Sequence, residues 1–518
     1  MRSGNGLDFG TSTVFVASPK GVVPIGESWP WMPSLVGCVD DGSVLVGERA
    51  LDVDDSQLVR SIKRFITEGR TFVQLDTPTG ARDMRVDELM VEMLRESARR
   101  AAAKGLDMET GATTLGCPAM WDGEQRRRLH ELARRSGIRL TLANLVDEPV
   151  AAGIAWLSRQ KKATAPLRVV VFDMGGGTLD IAVLEVRGDD LRDVSVLAAL
   201  GVAEAGNALD RAIAEDLEYA LAAAGIDVRT LERPRRARAR LQHAAPDVKV
   251  SLSSVAEVDV KLPRREFGVA SIPYSRTQLN EVFSEQMDRA EQYVATALRI
   301  ACLPAAVDGD SAHDIARAPL DTLTEQVDVV VLSGGMTQIP YVTERLRRLF
   351  GPATRIEPAC PAPDEAVAAG LAKAAGYKLI NKYRPGFDIM LVWDGGRQQR
   401  TVYEAYTPLL EMRQIAQGSG DLRFIRSGRD LTLPRAGTGR LRVISHSGQK
   451  VKATLNGSNL DGFSVALSDD DDFEFSIYPS GRIHLSDAKG DYEGHLDGWH
   501  IPSQAARGAN DPAARARR

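Results

Sequence analysis

Two short stretches of this sequence carry the residue types that grip a polyphosphate. Leu7-Asp-Phe-Gly-Thr-Ser12 and Phe172-Asp-Met-Gly-Gly-Gly-Thr-Leu-Asp180 each end an apolar, strand-like run on an Asp, turn on glycine and continue into a Thr. Glycine permits the tight turn and lets backbone N–H groups close around a phosphate, and the Thr hydroxyl adds a donor. The carboxylate at the strand end is placed to hold a hydrated Mg²⁺ that neutralises the same phosphates. A single hairpin of this kind says little, because Asp-Gly turns ordinarily just join strands. A pair, at Asp8 and again at Asp173, predicts duplicated lobes gripping one polyphosphate. A third turn, Leu332-Ser-Gly-Gly-Met-Thr-Gln-Ile-Pro340, also follows a buried-strand pattern and precedes a helix. It would let a base and its ribose approach the backbone closely. There is no GxxxxGK[ST] loop and no GxGxxG opening a Rossmann unit, so those nucleotide folds are disfavoured.

The elements that must position these turns alternate. Residues 7–16 read as strand, turn and strand. Val86, Leu89, Met90, Met93 and Leu94 keep the spacing of an amphipathic helix. Thr113–Gly116 is a short apolar run ended by Pro118, with a polar helix from about Glu124. Arg168–Phe172 and Asp328–Leu332 are buried-strand runs. Leu209, Ile213 and Leu217 mark a helix, another covers roughly 277–300, and one begins near Tyr341. This pattern predicts an α/β domain over residues 1–376. From 387 to 500 the pattern changes to short alternating segments such as Phe473-Glu-Phe-Ser-Ile-Tyr478, separated by Gly, Asn and Asp, which predicts a small β-sandwich. Residues 377–386 read as a linker and 501–518 as a disordered Ala/Arg tail.

The chain has 518 residues, a net charge of −5 and 26% charged residues. That length implies more than one domain, and the charge points to neither nucleic acid nor an anionic membrane as partner. No apolar run is long enough to span a bilayer and no signal segment is evident. Cys38, Cys117, Cys302 and Cys360 form no CxxC pair, so a cytoplasmic location is expected.

Taken in order, LDFGTST, FDMGGGTLD and LSGGMTQIP resemble the two phosphate loops and the adenosine loop of actin-like ATPases. Within that superfamily the chain resembles the DnaK-type seventy-kilodalton heat-shock chaperones. Ser61-Ile-Lys-Arg-Phe65 is similar to their catalytic-lysine segment, Cys117-Pro-Ala-Met-Trp-Asp-Gly-Glu-Gln-Arg126 to their Val-Pro-Ala segment, and Asp147-Glu-Pro-Val-Ala-Ala152 to their Glu-Pro-Thr-Ala-Ala segment. Pro363-Asp-Glu-Ala-Val-Ala-Ala-Gly370 is similar to the helix that closes the nucleotide domain. The resemblance implies ATP or ADP with Mg²⁺. Lys63 would orient the attacking water, Thr178 would bond the γ-phosphate, Asp8 and Asp173 would hold Mg²⁺ through water, and Glu148 would place a water in the same shell. Gly10, Thr11, Ser12 and Thr13, with Gly175, Gly176 and Gly177, would cradle the phosphates. Gly206, Gly334, Gly335, Met336 and Gln338 would line the nucleotide, and Lys249, Ser253 and Asp364 would hold ribose and base. Pro118 and Arg126 match residues that relay nucleotide state between domains. From the residues alone, Lys63 beside Arg64 also reads as a solvated face, and Glu148-Pro149 as a helix start.

The match has gaps. The family's two adenine-clamping arginines fall on Val250 and Gln338 here, a pocket glutamate becomes Pro246, and the Gly-Gly-Glu-Asp run is reduced to Gly206-Asn-Ala-Leu-Asp210. Each lost guanidinium stack is worth roughly 0.5–2 kcal/mol, which predicts weaker adenine-nucleotide binding. The family's acidic, leucine-rich linker is replaced by the basic Gly376-Tyr-Lys-Leu-Ile-Asn-Lys-Tyr383, and the Ala/Arg tail after the β domain is not expected to form the family's helical lid. These departures predict a β domain that ATP controls by well under the roughly 5–150-fold of ordinary allosteric coupling. The run Asp469–Asp472 reads as a solvated loop rather than a calcium site. The chain is expected to be an ATP-hydrolysing, chaperone-like protein that binds a polypeptide client or dedicated protein partner, with a possible co-chaperone. A nucleotide-gated scaffold with slow or no turnover is the alternative. A sugar or acetate kinase is weaker, having no use for an appended sandwich, and an actin-like filament is disfavoured for want of room.

Overall fold

The computed structural model describes residues 4–497 apart from 40–42, 78–79, 111, 162–165, 188–190, 307, 418–420, 447–449 and 469–471. The expected tail and most of the acidic run at 469–472 lie outside the described residues. At the centre of the first sheet, Asn5–Phe9 pairs in parallel with Thr113–Cys117 and antiparallel with Thr13–Ser18. Thr113–Cys117 continues in parallel to Leu145–Asp147, and Thr13–Ser18 antiparallel to Gly21–Val23. The second sheet repeats that plan. Leu167–Met174 pairs in parallel with Val329–Ser333 and antiparallel with Leu179–Val186. Those two continue to Arg355–Pro358 in parallel and to Asp193–Val202 antiparallel. One topology used twice makes the lobes structural repeats. Strands covered by helices on both faces have no solvated side, which is why the runs at 169–172 and 329–332 are apolar without alternation.

Equivalent helices, Glu148–Leu157 and Ala366–Ala374, pack against each other and against strands of both lobes. Their close approach needs a residue without a side chain, because a Cβ on Gly370 would collide with the Ala151 carbonyl. The amphipathic reading at 86–94 becomes the helix Val86–Ala103, with Val86, Leu89, Met90, Met93 and Leu94 all buried. In the second lobe the helices Gly206–Ala223, Pro234–Ser254 and Arg276–Cys302 share a core with the sheet.

Two antiparallel sheets follow. One runs Gln398–Tyr403, Phe387–Trp393, Gly437–Ser445, Ser464–Leu467. The other contains the hairpin Glu474–Ile477 with Arg482–Asp487, flanked by Phe424–Ser427 and Gly490–Leu496. Alternate residues, among them Ile389, Leu391, Phe475, Ile477, Ile483 and Leu485, form a separate core.

The segment read as a linker differs from expectation. Lys378–Asn381 is a strand, added in parallel to Asp193–Val202 at the edge of the second lobe's sheet. Its basic character does not prevent docking, because Lys378 pairs with Asp193 at 3.1 Å and the backbone supplies the ladder. Beyond it, Leu410, Ile415 and Leu422 are buried in the core of the second lobe.

Candidate functional site

Each glycine turn is closed by the same bond. The Gly10 N–H donates to the Thr13 carbonyl at 2.9 Å and the Gly175 N–H to the Thr178 carbonyl at 3.0 Å. The two turns meet face to face. A Cβ on Gly176 would strike the Ser12 hydroxyl, and one on Gly177 would strike Thr11, so only bare backbone fits between the loops. Between the lobes lies a cavity of about 410 Å³, within the usual size of small-ligand sites. Asp8, Gly10, Thr11, Ser12 and Thr13 line it from the first lobe, with Glu148. Asp173, Gly175, Gly176, Gly177 and Thr178 line it from the second. Gly334, Gly335, Met336 and Gln338, with Lys249, Ser253 and Asp364, complete the other end.

Two expected residues stand just behind this wall. Gly206 abuts the second phosphate turn, its N–H donating to the Gly175 carbonyl at 3.1 Å, and its carbonyl accepts from Lys249 Nζ at 3.3 Å. Lys249 also pairs with Asp210 at 2.7 Å. Lys63 is buried at 3% exposure and ion-paired with Glu148, so it is no solvated face. The backbone delivers it there at some strain: Ser61, two residues earlier, holds a left-handed φ of 56°, which a non-glycine residue rarely adopts.

The electrostatics are those of several acids buried around one ammonium. Burial pushes the Asp8 carboxyl up to about 7, Glu148 adds to that by repulsion, and Lys63 opposes it. Burial also raises Asp173 well above the carboxylate range, with Asp180, Glu148 and Asp8 adding to it. Burial would depress the Lys63 ammonium, yet Glu148 and Asp8 more than reverse this and raise it. Buried carboxylates crowded beside a phosphate cradle suit a divalent cation. Among the described residues no three carboxylate, histidine or cysteine side chains converge to ligate a metal directly.

One acid went unassigned in the sequence reading. Asp180 sits directly opposite Asp173 on the neighbouring strand, is 1% exposed and accepts the Ala119 N–H at 2.8 Å. Burial, then Glu148, push it up to about 7 against the pull of Thr178, Ala119 and Lys63. Its signal was present, since Asp173 and Asp180 end and begin the two arms of one hairpin. Trp31, Phe15, Ile339 and Val367 also line the cavity; Ile339 and Val367 lie inside the motifs quoted above, whereas nothing in the sequence marks Trp31 or Phe15 as lining it.

At the base end, Val250 is 67% exposed on the helix Pro234–Ser254, and Pro246 sits within that helix. Among the described residues no arginine lines the cavity. On the far side of Glu148, Asp147 pairs with the buried Arg126, whose Nε donates to the Trp121 carbonyl at 3.0 Å. The Arg126 guanidinium lies 5.1 Å from the centre of the Tyr406 ring, which belongs to the β-sandwich region.

Lobes of one topology closing on paired Asp-Gly-Thr turns define the actin-like ATPase fold, here carrying a β-sandwich. The Hsp70 protein family model matches residues 5–380, and the chain belongs to the Hsp70 family. It is 30% identical over 411 residues to chaperone protein DnaK 1 of Synechococcus sp., covering 72% of this chain and 49% of that protein. It is 28% identical over 408 residues to chaperone protein DnaK of Thermosipho melanesiensis, covering 75% and 61%. The chain thus spans about half to three fifths of the curated relatives it matches. No helix among the described residues is long and apolar enough to cross a membrane.

Proposed function

We propose that this protein binds and hydrolyses ATP and uses the β-sandwich to hold a polypeptide client or a dedicated protein partner. The observation that carries the reading is Lys63, buried among Glu148, Asp8 and Asp180 just behind the wall of a cleft lined by two phosphate turns. Phosphoryl transfer asks chiefly for positioning and charge neutralisation. Bound Mg²⁺ would neutralise the phosphate oxygens, held through water by Asp8 and Asp173. The Lys63 ammonium would orient a water at the γ-phosphorus, and the Thr178 hydroxyl would donate to that phosphate. As the water's oxygen bonds phosphorus and the bond to ADP breaks, its proton would pass to one of the neighbouring carboxylates, with Asp180, which accepts from Ala119 and Thr178 behind the turn, as a candidate. The decisive experiment is Mg²⁺-dependent phosphate release by the full chain and by Lys63→Ala. Turnover should fall by about 10²–10³-fold or more with ATP binding largely kept, because the turns do the gripping. Unchanged turnover would sink the assignment.

A scaffold reading, with nucleotide bound and turned over slowly or not at all, is favoured by one feature, the absence of a guanidinium at Val250 and Gln338. The same assay separates the two, since a scaffold would show no difference between wild type and Lys63→Ala.

A further inference from the structure

Loss of both guanidinium positions leaves open what touches the nucleoside. On the first lobe, the segment before Met32–Pro33 folds back on itself. The Ile25 N–H donates to the Pro30 carbonyl at 3.1 Å, and Gly26 sits against the carbonyls of Trp29 and Trp31, where a Cβ would collide. Met32 and Pro33 then pair with Val14 and Thr13, so Trp31 is anchored to the strand that leaves the first phosphate turn. The Trp31 ring packs on the cluster of Phe15, Ala17, Ala368 and Ala372, and it lines the cavity beside Val367 and Asp364. Behind it, Trp29 stacks with its ring 5.9 Å away and only 3° off parallel, although Trp29 is itself 61% exposed. A stacked pair of indoles, one lining the cleft and the other largely in water, costs hydration free energy unless something covers it. On the facing lobe Val250 is likewise apolar and open to the same cavity.

We infer that Trp31 is a nucleoside-contacting residue, its indole packing on the sugar and base of the bound nucleotide and supplying binding that a guanidinium does not supply here. Three features place it at the nucleoside rather than the phosphates. The phosphate ends of the cleft are already occupied by the two glycine turns. Trp31 packs on the helix Ala366–Ala374, and the turn just before that helix brings Asp364, a hydrogen-bond acceptor suited to ribose hydroxyls, into the same cavity. The surface it completes with Phe15, Ile339 and Val367 carries no charged group to neutralise a phosphate. Stacking on an indole is tolerant of base identity, because every base has a π-face. The site should therefore discriminate ATP from GTP weakly, by less than about tenfold. This inference rests on the nucleotide-binding reading above, and the controls keep the two apart.

The test is calorimetric titration of the full chain with Mg·ATP, Mg·GTP and Mg·tripolyphosphate, the last having phosphates and no nucleoside. Trp31→Ala should weaken ATP by about tenfold and Trp31→Phe by less than about threefold, in line with base–aromatic stacking. Tripolyphosphate should bind all three proteins within twofold. Tryptophan emission of the wild type should change with ATP but not with tripolyphosphate, and Trp31→Phe should lose that change. This readout stands even if Trp31→Ala fails to fold. An ATP affinity and emission change unaltered by the Phe and Ala variants would overturn the inference. So would an equal loss of tripolyphosphate affinity, which would make Trp31 a support of the phosphate turn. If the wild type binds tripolyphosphate but not ATP, the nucleoside contact is refuted while the phosphate cradle stands. If it binds neither, the nucleotide reading itself falls and this inference with it.

Discussion

At the scale of residues, the site is a ring of buried acids around one buried ammonium. Such an arrangement is intolerant of neutral substitutions on the cationic side. Removing Lys63 leaves Asp8, Glu148, Asp173 and Asp180 with no protein cation among them, and breaking one buried pair typically costs 3–5 kcal/mol. Lys63→Ala should accordingly lower the melting temperature of the nucleotide-free protein, and Mg²⁺ should restore part of the loss; differential scanning calorimetry with and without the metal reads this directly. Asp180→Asn should cut turnover while leaving ATP affinity within about threefold, because Asp180 faces its partners from behind the phosphate turn; a drop in affinity instead would assign it to metal retention. At the base end, Val250→Arg with Gln338→Arg should tighten ATP by a few-fold to about a thousandfold, from roughly 0.5–2 kcal/mol per stack. No gain in calorimetry would mean that Trp31 already fills that role. The phosphate side of this site was legible because its signals are local: Asp, Gly and Thr within a few residues, twice. Lys63 was legible only through family resemblance, since nothing in Ser61–Phe65 says that the ammonium is buried. Trp31 was not legible, because its place depends on a fold-back closed by Gly26 and on a helix that arrives from Ala366–Ala374.

At the scale of elements, helices and central strands followed from periodicity, and the departure came at a sheet edge. Lys378–Asn381 has neither the apolar run of a buried strand nor clean alternation, and its partner strand begins at Asp193, far back in the chain. Pairing of that kind is decided by backbone hydrogen bonds and one ion pair, which sequence pattern does not encode. The strand runs on into Lys382, which is 3% exposed. Burial pushes its ammonium down to about 8, Arg187 adds repulsion and Glu185 opposes. The docked value lies below the 10.5 of a free lysine, so the undocked form holds the proton more tightly between those limits. Docking is therefore penalised below about pH 8 and grows more favourable as pH rises toward 10.5, by at most about 1.4 kcal/mol per pH unit. Limited proteolysis across residues 376–386 should slow between pH 7 and pH 9.5, and Lys382→Met should show the slower rate at both. Equal cleavage of the wild type at the two pH values would show that Lys382 keeps its proton while docked.

At the scale of the molecule, an unbroken series of contacts runs from the cleft to the sandwich. Glu148 pairs with Lys63, and its neighbour Asp147 pairs with Arg126. The Trp121 carbonyl accepts from Arg126 and also from Arg384, a buried residue just past the added strand. Tyr406 lies under the Arg126 guanidinium, Arg127 pairs with Glu404, and Gly123 leaves room for the Ala405 carbonyl, where a Cβ would crowd it. The basic linker predicts little hold of ATP on the sandwich; the docked strand and this series are the contacts through which such a hold would act, and experiment separates the two expectations. A ligand shifts a conformational equilibrium only through its different affinity for the two states, and the effect is reciprocal. If the docked form is the one ATP prefers, as the family resemblance implies, loosening the dock must weaken ATP by the same factor. Arg384→Ala removes a buried contact between the regions yet touches no residue that lines the cavity. It should lower ATP affinity by about fivefold or more, within the usual range of coupling energies, and should make cleavage at 376–386 fast and independent of ATP. Tyr406→Ala should act in the same direction, and the double variant should be less than additive because both residues serve one contact. Calorimetry on the full chain measures the first quantity and proteolysis with and without Mg·ATP the second. An Arg384→Ala protein that binds ATP like the wild type while its linker is cleaved rapidly would show that docking and nucleotide binding are uncoupled, and the weak ATP control expected from the basic linker would stand.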